Sequence, residues 1–218
     1  LALDSPFDYA KQVRIYIEDE LPEPNDPSFV PRACRALQQY IDKSDGRAFV
    51  LFTSYSMMSK FAEHLDEWFA RNSYSLFVQG TDLERSVMLE RFRSTNRAVL
   101  FGTDSFWQGV DVPGEVLSNV IIVRLPFAVP GHPLIKGRIK RLRSLGKNPF
   151  STFQLPQAIL KFKQGFGRLI RTKNDKGIIA VLDSRIVTRR YGQSFLNAVP
   201  AAEIEIVSSN PEEQYGFD

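Results

Sequence analysis

Four short runs, Ala48 to Thr53, Ala98 to Gly102, Val120 to Leu125 and Ile178 to Leu182, are apolar at almost every consecutive position. A strand that is apolar on both faces must be covered on both faces, which happens in parallel sheets layered between helices. The intervening segments supply those helices. Met57, Phe61, Leu65 and Trp68/Phe69 recur at helical spacing within Ser56 to Arg71. Similar readings give helices over Arg32 to Lys43, Leu83 to Phe92 (capped by Thr81 or Asp82), Leu134 to Leu145, Leu155 to Arg171 and Arg189 to Ala198. Ser75 to Val78 and Ala202 to Val207 read as further strands. The expected class is α/β, with a mostly parallel sheet and helices on both faces. Residues 1–31, rich in proline and acid with one strand-like stretch at Val13 to Ile17, read as a lead-in or linker to a domain at 32–218.

In open sheets of this kind, ligands bind at the carboxyl ends of the strands. The informative loops therefore follow Phe52, Phe101, Leu125 and Leu182.

Several function classes drop out early. Cys34 is the only cysteine, so this chain cannot form an internal disulfide or a cysteine-built zinc or iron–sulfur site, and a reducing, cytoplasmic setting fits best. No apolar run approaches the roughly 20 residues needed to span a bilayer, and no membrane role is expected. The start shows neither a signal-peptide pattern nor an initiator Met, which reads as a fragment boundary. His64 and His132 have no partner at metal or triad spacing, and no metal site is expected.

Charge is unevenly placed. Between His132 and Arg171 stand ten of the 28 Lys and Arg and none of the 25 Asp and Glu. A carboxylate-free stretch in a chain that is net acidic elsewhere points to a surface facing phosphates, or to a solvated basic face. Lys136, Arg138, Lys140, Arg141 and Arg143 are its densest part.

The strongest signal is Gln164-Gly165-Phe166-Gly167-Arg168-Leu169-Ile170-Arg171. On a continuous helix Gln157, Gln164, Arg168 and Arg171 share one face, opposite Leu155, Ile159, Phe162, Phe166, Leu169 and Ile170. Two guanidiniums projecting together suit a phosphoryl group, because each donates parallel hydrogen bonds to phosphate oxygens. Gly165 and Gly167 weaken a helix, which implies a close approach to the backbone there. The plain alternative is a pair of surface arginines bound to nearby acids.

A second constellation is Thr103-Asp104-Ser105-Phe106-Trp107-Gln108-Gly109-Val110-Asp111-Val112-Pro113-Gly114, after the Ala98 strand. Thr103 and Ser105 offer hydroxyls to a nucleic-acid phosphate, and Trp107 offers an aromatic face. Asp111 is suited to a ribose hydroxyl, or to a backbone turn, and Trp107 equally to the core. A third, Thr53-Ser54-Tyr55-Ser56, fits phosphate binding less well than ordinary helix capping. The chain contains neither a phosphate loop of the Gly-x-x-x-x-Gly-Lys-Ser/Thr type nor a pair of acids placed to hold magnesium. Fingers without a cradle complete a site on another domain.

These motifs together resemble the second RecA-like motor domain of superfamily 2 helicases, in the XPD/DinG-like (Rad3-related) branch. Phe49 to Tyr55 looks like motif IV, Gly102 to Gly114 like motif V, and Gln164 to Arg171 like motif VI. Ser5 to Tyr9 and Leu155 to Ala158 are similar to DinG-like proteins, so the resemblance covers nearly the whole chain. It implies a three-layer, P-loop-NTPase-like domain and 5′-to-3′ DNA unwinding driven by ATP with Mg²⁺. In that reading Arg168 and Arg171 are arginine fingers, Gln164 meets the γ-phosphate, and Gly109 and Asp111 lie at the nucleotide. Ser54 and Thr103 touch single-stranded DNA. The phosphate loop, the magnesium-binding acids and any iron–sulfur cluster belong to an N-terminal motor domain that is the implied partner. Gln108 stands where relatives usually have Glu, which puts in doubt any acid orienting the fingers. Two rivals stay open: a non-catalytic nucleic-acid-binding module on the same fold, and a nuclease or phosphotransferase with its own active site.

Overall fold

The computed structural model describes residues 7–81, 83–103, 106, 116–128, 131–170 and 172–208. Among them seven strands form one sheet: β1 (Val13–Glu18), β2 (Ala48–Leu51), β3 (Ser75–Val78), β4 (Ala98–Gly102), β5 (Asn119–Ile122), β6 (Gly177–Val181) and β7 (Glu203–Val207). Their order is β3-β4-β2-β5-β6-β1-β7, and every pairing is parallel. The helices are α1 (Tyr9–Gln12), α2 (Phe29–Lys43), α3 (Tyr55–Arg71), α4 (Arg85–Ser94), α5 (Pro133–Ser144), α6 (Leu155–Phe166), α7 (Arg185–Thr188) and α8 (Gly192–Leu196).

The doubly apolar strands explain the layering. Phe49, Leu51, Leu100, Val120, Ile122, Ile179 and Val181 pack on one face with Met88 and Phe92 of α4 and Phe162 and Phe166 of α6. Their neighbours Val50, Val99, Phe101, Ile121 and Ala180 pack on the other face with Leu37 and Ile41 of α2 and Phe61 and Leu65 of α3. Each buried side chain of this size stabilises the fold by about 1.5–3 kcal/mol relative to exposure. Two cores, one sheet: this is the α/β class expected.

Several boundaries differ from the expectation. The stretch read as a lead-in carries β1, hydrogen-bonded between β6 and β7, and buries Leu21 and Phe29. α2 starts at Phe29 because Pro31 falls in its first turn, where a missing N–H costs nothing. α4 starts at Arg85, and Thr81 does not cap it; its hydroxyl donates to the Val78 carbonyl at 2.9 Å. The helix expected over Arg189 to Ala198 is confined to the short α8, and a separate short helix, α7, precedes that stretch. α8 packs so closely on α7 that a Cβ at Gly192 would lie 1.8 Å from the Ile186 carbonyl oxygen. A π turn, Phe150–Gln154, leads into α6, where Pro156 supplies no amide to the preceding turn.

Candidate nucleotide and nucleic-acid interface

At the carboxyl end of β2, Ser54 has extended backbone angles and its hydroxyl accepts from the Met57 amide at 3.3 Å. It is the N-cap of α3, the plainer of its two expected uses.

Thr103, at the end of β4, does not present its hydroxyl outward as expected. It is buried, and its amide and Oγ1 both donate to Gln79 Oε1, at 2.7 and 2.9 Å. Gln79 Nε2 in turn donates to the Tyr55 hydroxyl at 2.7 Å. The Tyr55 ring is half exposed and lies beside Gly80, whose φ of +91° suits glycine. This chain ties together the ends of β3 and β4 and the start of α3. Sequence reasoning missed Gln79 altogether, since a lone glutamine after a strand carries no signal.

Gly102 shows a true close approach. A Cβ there would lie 2.6 Å from Phe106 Cβ, and Phe106 is fully buried. The Arg85 guanidinium sits 5.2 Å over the same Phe106 ring. Ser105, Trp107, Gly109 and Asp111 lie outside the described residues.

The apolar side is anchored, with Phe162 and Phe166 of α6 and Leu169 and Ile170 just beyond it all buried. The other side does not form one helical face. α6 ends at Phe166, and the chain tightens into a turn in which Arg168 N donates to the Gly165 carbonyl at 3.2 Å. Gln164 is therefore on the helix and Arg168 beyond it, both half-buried. Arg171 is outside the described residues. Nothing crowds Gly167, where a Cβ would be 3.5 Å from the Lys163 carbonyl oxygen, an ordinary contact. Burial, reinforced by the charge of Arg85, pulls the Arg168 pKa below the usual arginine range. Gly102, Phe106, Arg85 and Arg168 thus form a continuous chain of contacts and fields between the end of β4 and the end of α6.

A second cationic group lies at the ends of β5 and β6. Asp183, fully buried, accepts from Arg185 and from the Leu125 amide. Arg124 lies close enough that burial and the Arg185 charge lower its pKa, and it donates to Asn25 Oδ1 at 3.1 Å. Neither arginine stood out in the sequence.

α5 buries no residue. Lys136, Arg138, Lys140, Arg141 and Arg143 are all exposed on it, and Arg138 lies 5.2 Å over the Phe153 ring. The segments before and after this helix meet in an aromatic cluster in which Phe127 stacks on Phe150 at 5.8 Å and meets Tyr191 and Phe195 edge-on. Among the described residues no group of three or more His, Cys, Asp or Glu comes together, and no helix is long and apolar enough to cross a membrane.

Comparison with known proteins fits this geometry. The helicase C-terminal domain model matches residues 37–202. The ATP-dependent DNA helicase YoaA of Escherichia coli (strain K12) is 41% identical over 202 residues, covering 93% of this chain and 31% of that protein. The 3′-5′ exonuclease DinG of Bacillus subtilis (strain 168) is 37% identical over 219 residues, covering 99% of this chain and 24% of that protein. The chain spans less than a third of the length of these relatives. Among solved structures, an XPD helicase superposes with a TM-score of 0.67 at 20% identity, over 89% of this chain and 35% of that one. Xpd4 of S. tokodaii superposes at 0.64 and 18% identity, over 89% and 38%. At such identities the structures speak for the fold alone, and they share its RecA-like form. With the family model matched over most of its length, the chain belongs to the helicase C-terminal domain family.

Proposed function

We propose that this chain is the second motor domain of a DinG-like, ATP-dependent DNA helicase. It completes an ATP site whose phosphate loop and Mg²⁺ ligands lie on an N-terminal motor domain of the same protein. The observation that carries the reading is the placement of Arg168. Its guanidinium is half-buried at the turn ending α6, and the positive field of Arg85 bears on it. A half-buried guanidinium presents parallel donors to an anion, and a transferring phosphoryl group is such an anion. Arg168 and Arg171 act as fingers, Gln164 contacts the γ-phosphate, and Gly109 and Asp111 meet the nucleotide. No iron–sulfur ligand comes from this chain, whose one cysteine is buried and has its thiol pushed up to about 12 by desolvation.

Single-stranded DNA lies along the exposed cations of α5 and reaches the loops after β2 and β4, where Ser54, Ser105 and Trp107 stand. Thr103 contributes by holding the loop through Gln79. Closure of the two domains around ATP grips the strand, and hydrolysis removes the charge that the fingers held. The DinG and YoaA relatives named as helicases support this activity, and the single buried cysteine suits a reducing, cytoplasmic setting.

The deciding experiment is Arg168→Ala in the intact protein. DNA-stimulated ATP hydrolysis falls by about 10³-fold or more while nucleotide binding persists. Intact turnover would overthrow the motor reading in favour of a binding module.

A further inference from the structure

The amino ends of the strands, opposite the loops described above, frame a cavity of about 380 Å³. It opens where β1 and β6 begin, beside Ser118 at the entry to β5 and the end of α2. Five of its side chains are cationic, Lys11, Arg14, Lys43, Arg47 and Lys176, and one is a carboxylate, Glu203. Arg14 engages Glu203 at 3.0 Å, and Lys11 engages Asp8 at 2.8 Å. Among the described residues Lys43, Arg47 and Lys176 make no ion pair. Lys43 lies 5.5 Å over the Tyr16 ring, and Arg47 Nε donates to the Ser44 carbonyl at 3.1 Å.

Ser118 lines the same cavity, and its buried Oγ has no hydrogen-bond partner among the described residues. A buried hydroxyl left so is destabilising until a partner arrives.

The surrounding backbone is rigidly placed. Asp45, Gly46 and Arg47 all have positive φ, and a Cβ at Gly46 would fall 2.6 Å from the Arg97 carbonyl carbon. The Arg47 carbonyl accepts from the amides of Ser118 and Asn119, at 3.1 and 3.2 Å. On the other side a Cβ at Gly177 would meet the Ser118 carbonyl oxygen at 2.4 Å, so the Lys176 turn is clamped there as well. Strained backbone of this kind persists only where its surroundings enforce it.

We infer that this cavity binds a phosphomonoester. Three cations without carboxylate partners and a hydroxyl donor suit a group carrying nearly two negative charges better than a singly charged phosphodiester. The volume is near the lower end of the roughly 300–1,000 Å³ typical of small-ligand pockets, enough for a phosphate or a mononucleotide. Strands of this length separate the site from the carboxyl-end loops by roughly 15 Å, so it is distinct from the ATP site proposed above. The phosphate comes either free in solution or on the end of a nucleic-acid strand.

Lysine footprinting of the intact protein tests this, with inorganic phosphate, AMP, and oligonucleotides bearing a 5′-phosphate or a 5′-hydroxyl as probes. Phosphate should slow acetylation of Lys43 and Lys176 and leave Lys60, exposed on α3, unchanged. Ser118→Ala should raise the phosphate concentration for half-protection about tenfold, the loss expected for one hydrogen bond to a charged group. Protection by the 5′-phosphorylated strand at lower concentration than inorganic phosphate, and none by the 5′-hydroxyl strand, identifies a strand end. Equal or better protection by inorganic phosphate or AMP identifies a free ligand. No protection up to tens of millimolar phosphate, equal slowing at Lys60, or an unchanged response in Ser118→Ala overturns the site.

Discussion

Arg185 grips Asp183 through two parallel bonds, Nε to Oδ1 at 2.8 Å and Nη2 to Oδ2 at 2.6 Å. The same carboxylate accepts from the Leu125 amide at 2.8 Å, joining the ends of β5 and β6. The Asp183 side chain is 0% exposed and that of Arg185 14%. Asp183→Ala therefore strands a buried cation and an amide, and should cost about 3–5 kcal/mol in urea unfolding. Asp183→Leu combined with Arg185→Met should be milder than the single change, since it leaves no buried charge. A single-variant loss no larger than that of a surface substitution would show that the pair is not buried as described.

Gly102→Ala tests the contact with Phe106. The added methyl meets the Phe106 side chain, and overpacking of this kind costs about 1–3 kcal/mol. Because Phe106 underlies Arg85, DNA-stimulated ATP hydrolysis should fall further than the loss of folded protein explains. A variant with wild-type melting and turnover would remove Gly102 from this account.

Glu18 gives stability a pH dependence. It is buried, and burial raises its pKa despite the opposing 2.6 Å bond from the Tyr40 hydroxyl. The folded state then holds its proton more tightly than the unfolded state. Its contribution is greatest below the ordinary glutamate pKa and is lost as pH rises through the higher folded value. Glu18→Gln should compare more favourably with wild type at neutral than at mildly acidic pH. Urea unfolding at the two pH values checks the sign, and the opposite trend would refute it.

Salt should reveal α5. If its five named cations each neutralise one phosphate, DNA affinity falls with a log–log slope of about −3.5, or roughly a hundredfold between 50 and 200 mM salt. Replacing Lys136, Lys140 and Arg143 with Ala should flatten that slope by about 2. Fluorescence anisotropy with a single-stranded oligonucleotide measures both. An unchanged slope would move the track off this helix.

The sheet was legible because β2, β4, β5 and β6 are apolar at consecutive positions, a local property. β1 was harder to place, because the prolines after it dominated the composition of its segment, while its membership rests on pairing with β6 far along the chain. A single helical face through Arg168 requires a helix continuing past Gly167, but the backbone turns there through bonds that spacing alone does not reveal. Asp183 and Gln79 act through partners 58 and 24 residues away. No spacing rule reaches such contacts. Ser54 was legible for the opposite reason, since a cap is a bond to a residue three positions on.

The position of β1 also orders the making of this domain. β1, the first of the described strands along this chain, is flanked by the last two, so neither of its edges can pair until β6 has been made. Until then Val13, Ile15 and Ile17 have no strand beside them, and a chain stopped before β6 leaves them without a neighbour. Removing β7 and then β6 should therefore destroy solubility before Arg168 is reached, which makes these two strands a structural clasp.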